Sequence, residues 1–205
     1  MERAEFDYGG HVVPEVVVAI LADPQRRACA VYGRERAEAA ARAVVSQLLD
    51  TIGPDVGLDS RNRFEWLLRL PHGPGLDAML VALQAGLTAT TADVDGVRIF
   101  VDFAYGISGG SVSGADADSL VRSADAALCL AMESQRRMAI AGPATYERLE
   151  GELELAVRLT NSAEADFQQF YQPIVRITDG ATVGFESLLR WITADGVLFP
   201  ATFSP

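Results

Sequence analysis

Residues 12–22 read VVPEVVVAILA, an almost unbroken apolar and β-branched run. A strand with one face in water alternates polar and apolar residues, so a run of this kind requires cover on both faces. The chain must therefore build a sheet around this strand, with helices on either side. Pro14 has no N–H to give to a ladder and is tolerable only near the start of the strand.

The rest of the chain supplies those helices. Over residues 34–50 the apolar positions Ala37, Ala40, Ala41, Val44 and Leu48 fall at three- and four-residue spacing until Gly53 and Pro54 end the pattern, which predicts an amphipathic helix. Residues 64–70 (FEWLLRL) predict a short strand stopped by Pro71, His72, Gly73 and Pro74, and Leu76, Met79, Leu80, Leu83 and Leu87 then restore helical spacing. Val97, Ile99, Val101, Phe103 and Tyr105 alternate with polar residues and predict one second long strand, followed by a loop at Gly109, Gly110 and Ser111. A helix over 116–137 carries Leu120, Ala124, Ala127, Leu128 and Ala131 on one face, with Arg136 and Arg137 placed at its C-terminal end, where the macrodipole favours them. A short strand near 138–141, a connecting helix over 146–160 and two strand-like runs at 167–177 and 181–189 complete the pattern. Asp179-Gly180 between those runs is a strong hairpin signal. Alternating strands and helices without a repeat of 20–50 residues predict an α/β (α+β) sheet covered by helices.

Composition narrows the partners. A formal net charge of −11 over 205 residues repels nucleic acid and anionic membranes, so any phosphate-bearing ligand needs a local basic cluster. No apolar run approaches the roughly 20 residues of a membrane span, and residues 1–10 lack the pattern of a signal peptide; a cytoplasmic protein is expected. Cys29 and Cys129 stand far apart without CxxC spacing and read as free thiols, and His11 and His72 lack the company of a metal motif.

The sharpest motif is Phe170, Tyr171, Gln172, Pro173, Ile174, Val175, followed by Gly184, Phe185, Glu186, Ser187, Leu188, Leu189, Arg190, Trp191, with Pro200 and Phe203 beyond. It resembles the start of an EAL domain, whose pattern runs YQPIV and then GFEALLRW; Ser187 replaces an alanine. The resemblance implies Glu186 as a metal ligand and Gln172 and Arg190 as contacts to a bound cyclic dinucleotide. Phosphodiester hydrolysis by paired cations needs several converging acids. The other ligands of the family lie downstream of this sequence, so Mg or Mn is expected only in a complete barrel and no cofactor in this chain.

The preceding region resembles the GGDEF cyclase domain. Tyr105, Gly106, Ile107 resemble its SIGIA strand, and residues 120–132 (LVRSADAALCLAM) resemble its LLxxADxALYxAK helix. That register places Asn62, Arg63, Phe64, Glu65, Trp66 at the signature turn. Asn62 and Arg63 replace glycines that let a nucleotide approach; Phe64 and Leu21 replace the two acidic metal ligands. Glu65 matches the signature glutamate and stands equally as a solvated hairpin residue. Cys29 replaces a guanine-binding asparagine, Glu38 an aspartate and Met132 a phosphate-binding lysine, while Arg136 keeps the matching arginine. Gly53 and Val56 fall at the inhibitory RxxD positions, and Asp55 is one residue out of register. The LTGLPNRR segment before the first strand is absent.

Together these resemblances imply a degenerate, nucleotide-cyclase-like (ferredoxin-like) GGDEF domain over 1–143, a linker helix over 144–166, and the first hairpin of an incomplete EAL barrel over 167–205. The expected function is a non-catalytic regulatory part of a cyclic di-GMP signalling protein, with cyclic di-GMP or GTP as ligand and a homodimer as a compatible assembly. The alternative is the N-terminal part of a cyclic di-GMP phosphodiesterase. Residual nucleotide contacts are assigned to Gln172, Arg190, Arg136 and Glu65.

Overall fold

A computed structural model of the chain describes residues 15–71, 73–88, 90–108, 117–194 and 196–198. The readings placed on residues 1–14, His72, Gly109, Gly110, Ser111, Asp116, Pro200 and Phe203 lie outside them. The chain divides into two compact units, Met1–Tyr146 and Glu147–Pro205.

In the first unit the apolar run forms strand β1 (Glu15–Ala22), which lies at the centre of a five-stranded sheet. After it come α1 (Arg27–Tyr32), α2 (Arg34–Ile52), β2 (Gly57–Ser60), β3 (Glu65–Pro71) and α3 (Leu76–Thr88). The unit continues with β4 (Thr91–Val94), β5 (Val97–Phe100), β6 (Phe103–Ile107), α4 (Ala117–Glu133), β7 (Met138–Ile140) and the start of α5 (Pro143–Thr160). The sheet order is β2-β3-β1-β6-β7, antiparallel except for the parallel β6–β7 pair. Strands β4 and β5 form a separate hairpin.

The two-faced cover expected of β1 is present, and its residues sort by parity. Val16, Val18, Ile20 and Ala22 enter the larger core with residues of α1, α2, α3 and the β4–β5 hairpin. Val17 and Ala19 face the other way and pack with Leu67 and Ala124, the latter from α4. On that side small residues allow very close approach: a Cβ added at Gly106 of β6 would collide with backbone atoms of Ala124, Ala127 and Leu128. Ala124, Ala127 and Ala131 are fully buried.

Several expectations need correction. The single long strand expected through 97–105 is two strands in two sheets, broken at Asp102. The Asp102 carbonyl accepts the Asp23 N–H at 2.8 Å and its carboxylate pairs with Arg27 at 3.0 Å, which turns the chain out of the hairpin and into the central sheet. Helix α4 ends at Glu133, so Arg136 and Arg137 lie beyond its last turn rather than in it. Arg137, left-handed at φ 55°, donates from Nη1 to the Met132 carbonyl at 2.6 Å and caps the helix from outside. Strands β2 and β4 and helix α1 join the elements expected from sequence.

In the second unit, the remainder of α5 is followed by a short 3-10 turn (Glu164–Asp166) and an antiparallel sheet of β8 (Phe167–Val175), β9 (Thr182–Thr193) and β10 (Gly196–Leu198). The expected hairpin is β8–β9; β10 is a third strand. Its turn is held by mutual backbone bonds between Arg176 and the Gly180–Ala181 pair, with Gly180 at φ 70°. Trp191 is buried, stacks on Phe167 at 6.0 Å between ring centroids, and carries the Arg158 guanidinium 5.5 Å above its ring. Among the described residues no helix is long and apolar enough to cross a membrane.

Candidate functional site

The C-terminal end of β1 and the turn between β2 and β3 meet at a cleft of about 370 Å³, lined among others by Leu21, Asp23, Arg26, Cys29, Arg34, Phe64 and Glu65. Sheet register explains the meeting. Leu21 lies opposite Glu65 across the β1–β3 ladder, and Ala22 donates its N–H to the Phe64 carbonyl at 2.9 Å.

The turn is closed by its own polar groups. Arg61 and Asn62 donate their backbone N–H groups to the Glu65 carbonyl, and the Asn62 side-chain oxygen accepts the Phe64 N–H at 2.9 Å. Asn62 and Arg63 are not among the left-handed residues. The turn thus takes a conformation open to any L residue and has no need of glycine. Two arginines fasten it sideways. Arg61 forms a two-pronged pair with Asp125 of α4, the second prong at 2.8 Å, and Asp125 holds its guanidinium above the usual range. Arg63 reaches Glu38 of α2 at 3.1 Å, and Arg42 holds the other oxygen of that buried carboxylate at 3.2 Å.

Asp23, which sequence reasoning passed over, organises the opposite wall. It is 4% exposed, and its two oxygens accept the N–H groups of Ala28 at 2.9 Å and Cys29 at 2.8 Å. It caps α1 from outside the helix and leaves no oxygen lone of a partner. Asp23 (φ 50°) and Arg26 (φ 56°) both take left-handed backbone, the bend that brings the Arg26 side chain to the cleft. The one signal in the sequence was the Asp23-Pro24 pair, a turn initiator. Burial first, then the hydrogen bond and charge of Asp23, push the Cys29 thiol above its ordinary range, while Arg26 and Arg34 pull it down.

Of the residues expected from sequence, Glu65, Leu21, Phe64 and Cys29 come together at this cleft. Glu38 lies on α2, held by the two arginines. Arg136 does not line the cleft; it is exposed in the turn between α4 and β7. Gln172 and Glu186 belong to the second unit, where they sit directly opposite each other on β8 and β9. Arg190 shares their face of the hairpin by strand alternation, four residues from Glu186, and donates from Nη1 to the Leu189 carbonyl at 2.7 Å.

The donor set of the cleft does not fit a divalent cation. Mg²⁺ and its relatives take six or more oxygen ligands, usually anchored by carboxylates; here Leu21 and Phe64 are apolar, Asp23 is committed to two N–H groups, and Glu65 alone is open. Among the described residues no group of three acidic, histidine or cysteine side chains gathers in a metal-binding arrangement.

No family model matches the chain. It is 28% identical over 142 residues to an uncharacterized signaling protein of Caulobacter vibrioides, a match that covers 64% of this chain and spans only 17% of that protein's length. Among solved structures it is similar to a GGDEF domain from Pseudomonas aeruginosa (TM-score 0.58, 18% identity, 66% of this chain and 81% of that one). It is similar to an EAL/GGDEF domain protein from M. capsulatus (TM-score 0.55, 17% identity, 65% of this chain and 88% of that one). A Vibrio cholerae S helix-GGDEF-EAL protein bound to c-di-GMP matches over 94% of this chain and 46% of its own (TM-score 0.53, 14% identity). The fold of the first unit is the GGDEF, nucleotide-cyclase-like fold: a central sheet covered by helices. No closed barrel is formed by the described residues.

Proposed function

We propose that the chain is a non-catalytic, regulatory part of a cyclic di-GMP signalling protein, in which a degenerate GGDEF domain precedes the opening of an EAL domain. The observation that carries this reading is the make-up of the cleft between β1 and the β2–β3 turn: Leu21 and Phe64 occupy the positions where the resemblance would require acidic ligands, and the carboxylate of Glu38 is engaged by Arg63 and Arg42. Phosphoryl transfer depends on cations that hold and neutralise the phosphates, and the cleft lacks the oxygens to hold them. Meanwhile the core around β1 is complete, the pattern expected when packing is kept and chemistry is not. The signaling protein and the c-di-GMP-bound structure to which the chain is similar supply the context.

Titration calorimetry with cyclic di-GMP and GTP, together with sedimentation of the same sample, tests the reading. Binding of either nucleotide or a stable homodimer is expected; absence of binding in a strictly monomeric chain overturns it.

A second reading, the front part of a cyclic di-GMP phosphodiesterase, is favoured by one observation: Gln172, Glu186 and Arg190 share a single face of β8–β9. In a longer chain completing a barrel, Glu186 would hold Mg or Mn, and Glu186→Gln would abolish hydrolysis. Undiminished hydrolysis in that variant removes this reading.

A further inference from the structure

The cleft between β1 and the β2–β3 turn carries apolar side chains at Leu21 and Phe64 and is lined by two arginines. Arg26 and Arg34 both line it, together with Cys29. Among the described residues neither has a carboxylate partner, whereas Arg27, Arg36, Arg42, Arg61 and Arg63 around them are all paired. Two carboxylates also line the cleft. Asp23 spends both oxygens on backbone N–H groups, and Glu65 feels the nearby Arg61. Asn62, whose side-chain oxygen is turned into its own loop, completes the polar wall.

We propose that this cleft is a cation-independent, base-blind site for a phosphate-class anion, held by Arg26 and Arg34. This rests on the reading of the first unit as a GGDEF-type fold without catalysis, and it names the ligand chemistry that such a site takes. A planar guanidinium offers a fork of donors that matches phosphate oxygens without a bridging metal. All 17 basic residues of the chain are arginines, and these two are the ones the cleft leaves open. A volume of about 370 Å³ is at the small end of ligand pockets and has room for a diphosphate group. Glu38, the carboxylate that the resemblance would offer to a base, is occupied by Arg63 at 3.1 Å and Arg42 at 3.2 Å.

Calorimetry on the 205-residue chain, in EDTA and low salt, with pyrophosphate, ADP and GDP as probes, tests the proposal. All three are expected to bind within about threefold of one another, as a ligand read only through its phosphates would. Adding Mg²⁺ should bring no tightening. The double variant R26Q/R34Q should weaken binding by at least about tenfold, given the worth of hydrogen bonds to charged groups, and R26K/R34K should recover part of the loss. R98Q, which alters an exposed pair with Asp93 on the β4–β5 hairpin, should bind as the wild type and serves as the control for charge removed elsewhere. Absence of binding, a requirement for Mg²⁺, a guanine preference above about tenfold, or full binding by a folded R26Q/R34Q variant each overturns the proposal. Metal-dependent turnover of GTP would strike instead at the function proposed above, so the two failures are told apart.

Discussion

Replacing Gly106 by alanine tests the packing of the first unit at its tightest point. The added Cβ would stand 2.6 Å from the Ala127 carbonyl carbon and closer still to the Leu128 nitrogen and the Ala124 oxygen. Ordinary contact begins near 3.4 Å, so α4 must withdraw from the sheet by more than about 0.8 Å, with no flexible side chain to absorb the clash. A gap of that order forfeits a quarter to a half of each lost dispersion contact, and it opens along the fully buried row Ala124, Ala127 and Ala131. Overpacking of this kind costs about 3 kcal/mol, the upper end of the usual range. The corresponding drop in Tm is about 6–12 °C. Gly86→Ala is the matched comparison. Its Cβ would meet the tip of Leu48 at 2.8 Å, a flexible end that can rotate away, and the gain in helix propensity in α3 offsets the cost; its Tm should stay within about 3 °C of the wild type. Thermal melts followed by circular dichroism decide between them. A Gly106→Ala protein that melts within about 2 °C of the wild type would refute the seating of α4 on β6.

Other outcomes follow from the same contacts. Asp23→Ala leaves the buried N–H groups of Ala28 and Cys29 without their acceptor, so urea unfolding should show a loss of about 3 kcal/mol, and Asp23→Asn, which keeps one acceptor, a smaller one. The Cys29 thiol is held above its ordinary range by burial first, with Asp23 adding, and the exposed Cys129 thiol is pushed the same way by partial desolvation and by Asp125 and Glu133. Because burial and nearby carboxylates disfavour the thiolate, alkylation by iodoacetamide should accelerate with pH with midpoints above the ~8.5 of a free thiol; midpoints below that value would contradict the placement of both cysteines. Trp191→Ala removes the ring that stacks on Phe167 and carries Arg158, at a cost of about 3–5 kcal/mol. Trypsin should then cut at Arg176 and Arg190 markedly faster than in the wild type.

The elements legible in the sequence are those whose burial is periodic. The unbroken run of β1 announced cover on both faces, and Val17 and Ala19 on one side with Val16, Val18 and Ile20 on the other supply it. Elements made by pairing rather than by periodicity escaped. Strand β2 (GLDS) has no fully buried residue and exists because it pairs with β3. The alternation from Val97 to Tyr105 runs straight through Asp102, and period alone does not register that the chain changes sheets there. In the cleft, Leu21, Phe64, Cys29 and Glu65 were legible through the resemblance to the GGDEF domain, whose register assigns them to the end of the first strand, the helix after it and the signature turn. Asp23, Arg26 and Arg34 were not: their roles come from a left-handed bend at non-glycine residues and from side chains converging in space. The Arg63–Glu38 pair joins residues 25 positions apart, which no local pattern encodes.

The most direct measurement is turnover by the purified 205-residue chain. It is incubated with GTP and Mg²⁺ in one arm, and with cyclic di-GMP and Mg²⁺ or Mn²⁺ in the other, and the nucleotides are resolved by chromatography. The account predicts no cyclic di-GMP formed and none cleaved above the protein-free blank. Metal-dependent formation of cyclic di-GMP that disappears in a Glu65→Gln variant would contradict it, because Glu65, the one open carboxylate of a cleft lined by Leu21 and Phe64, would then be holding cations by itself.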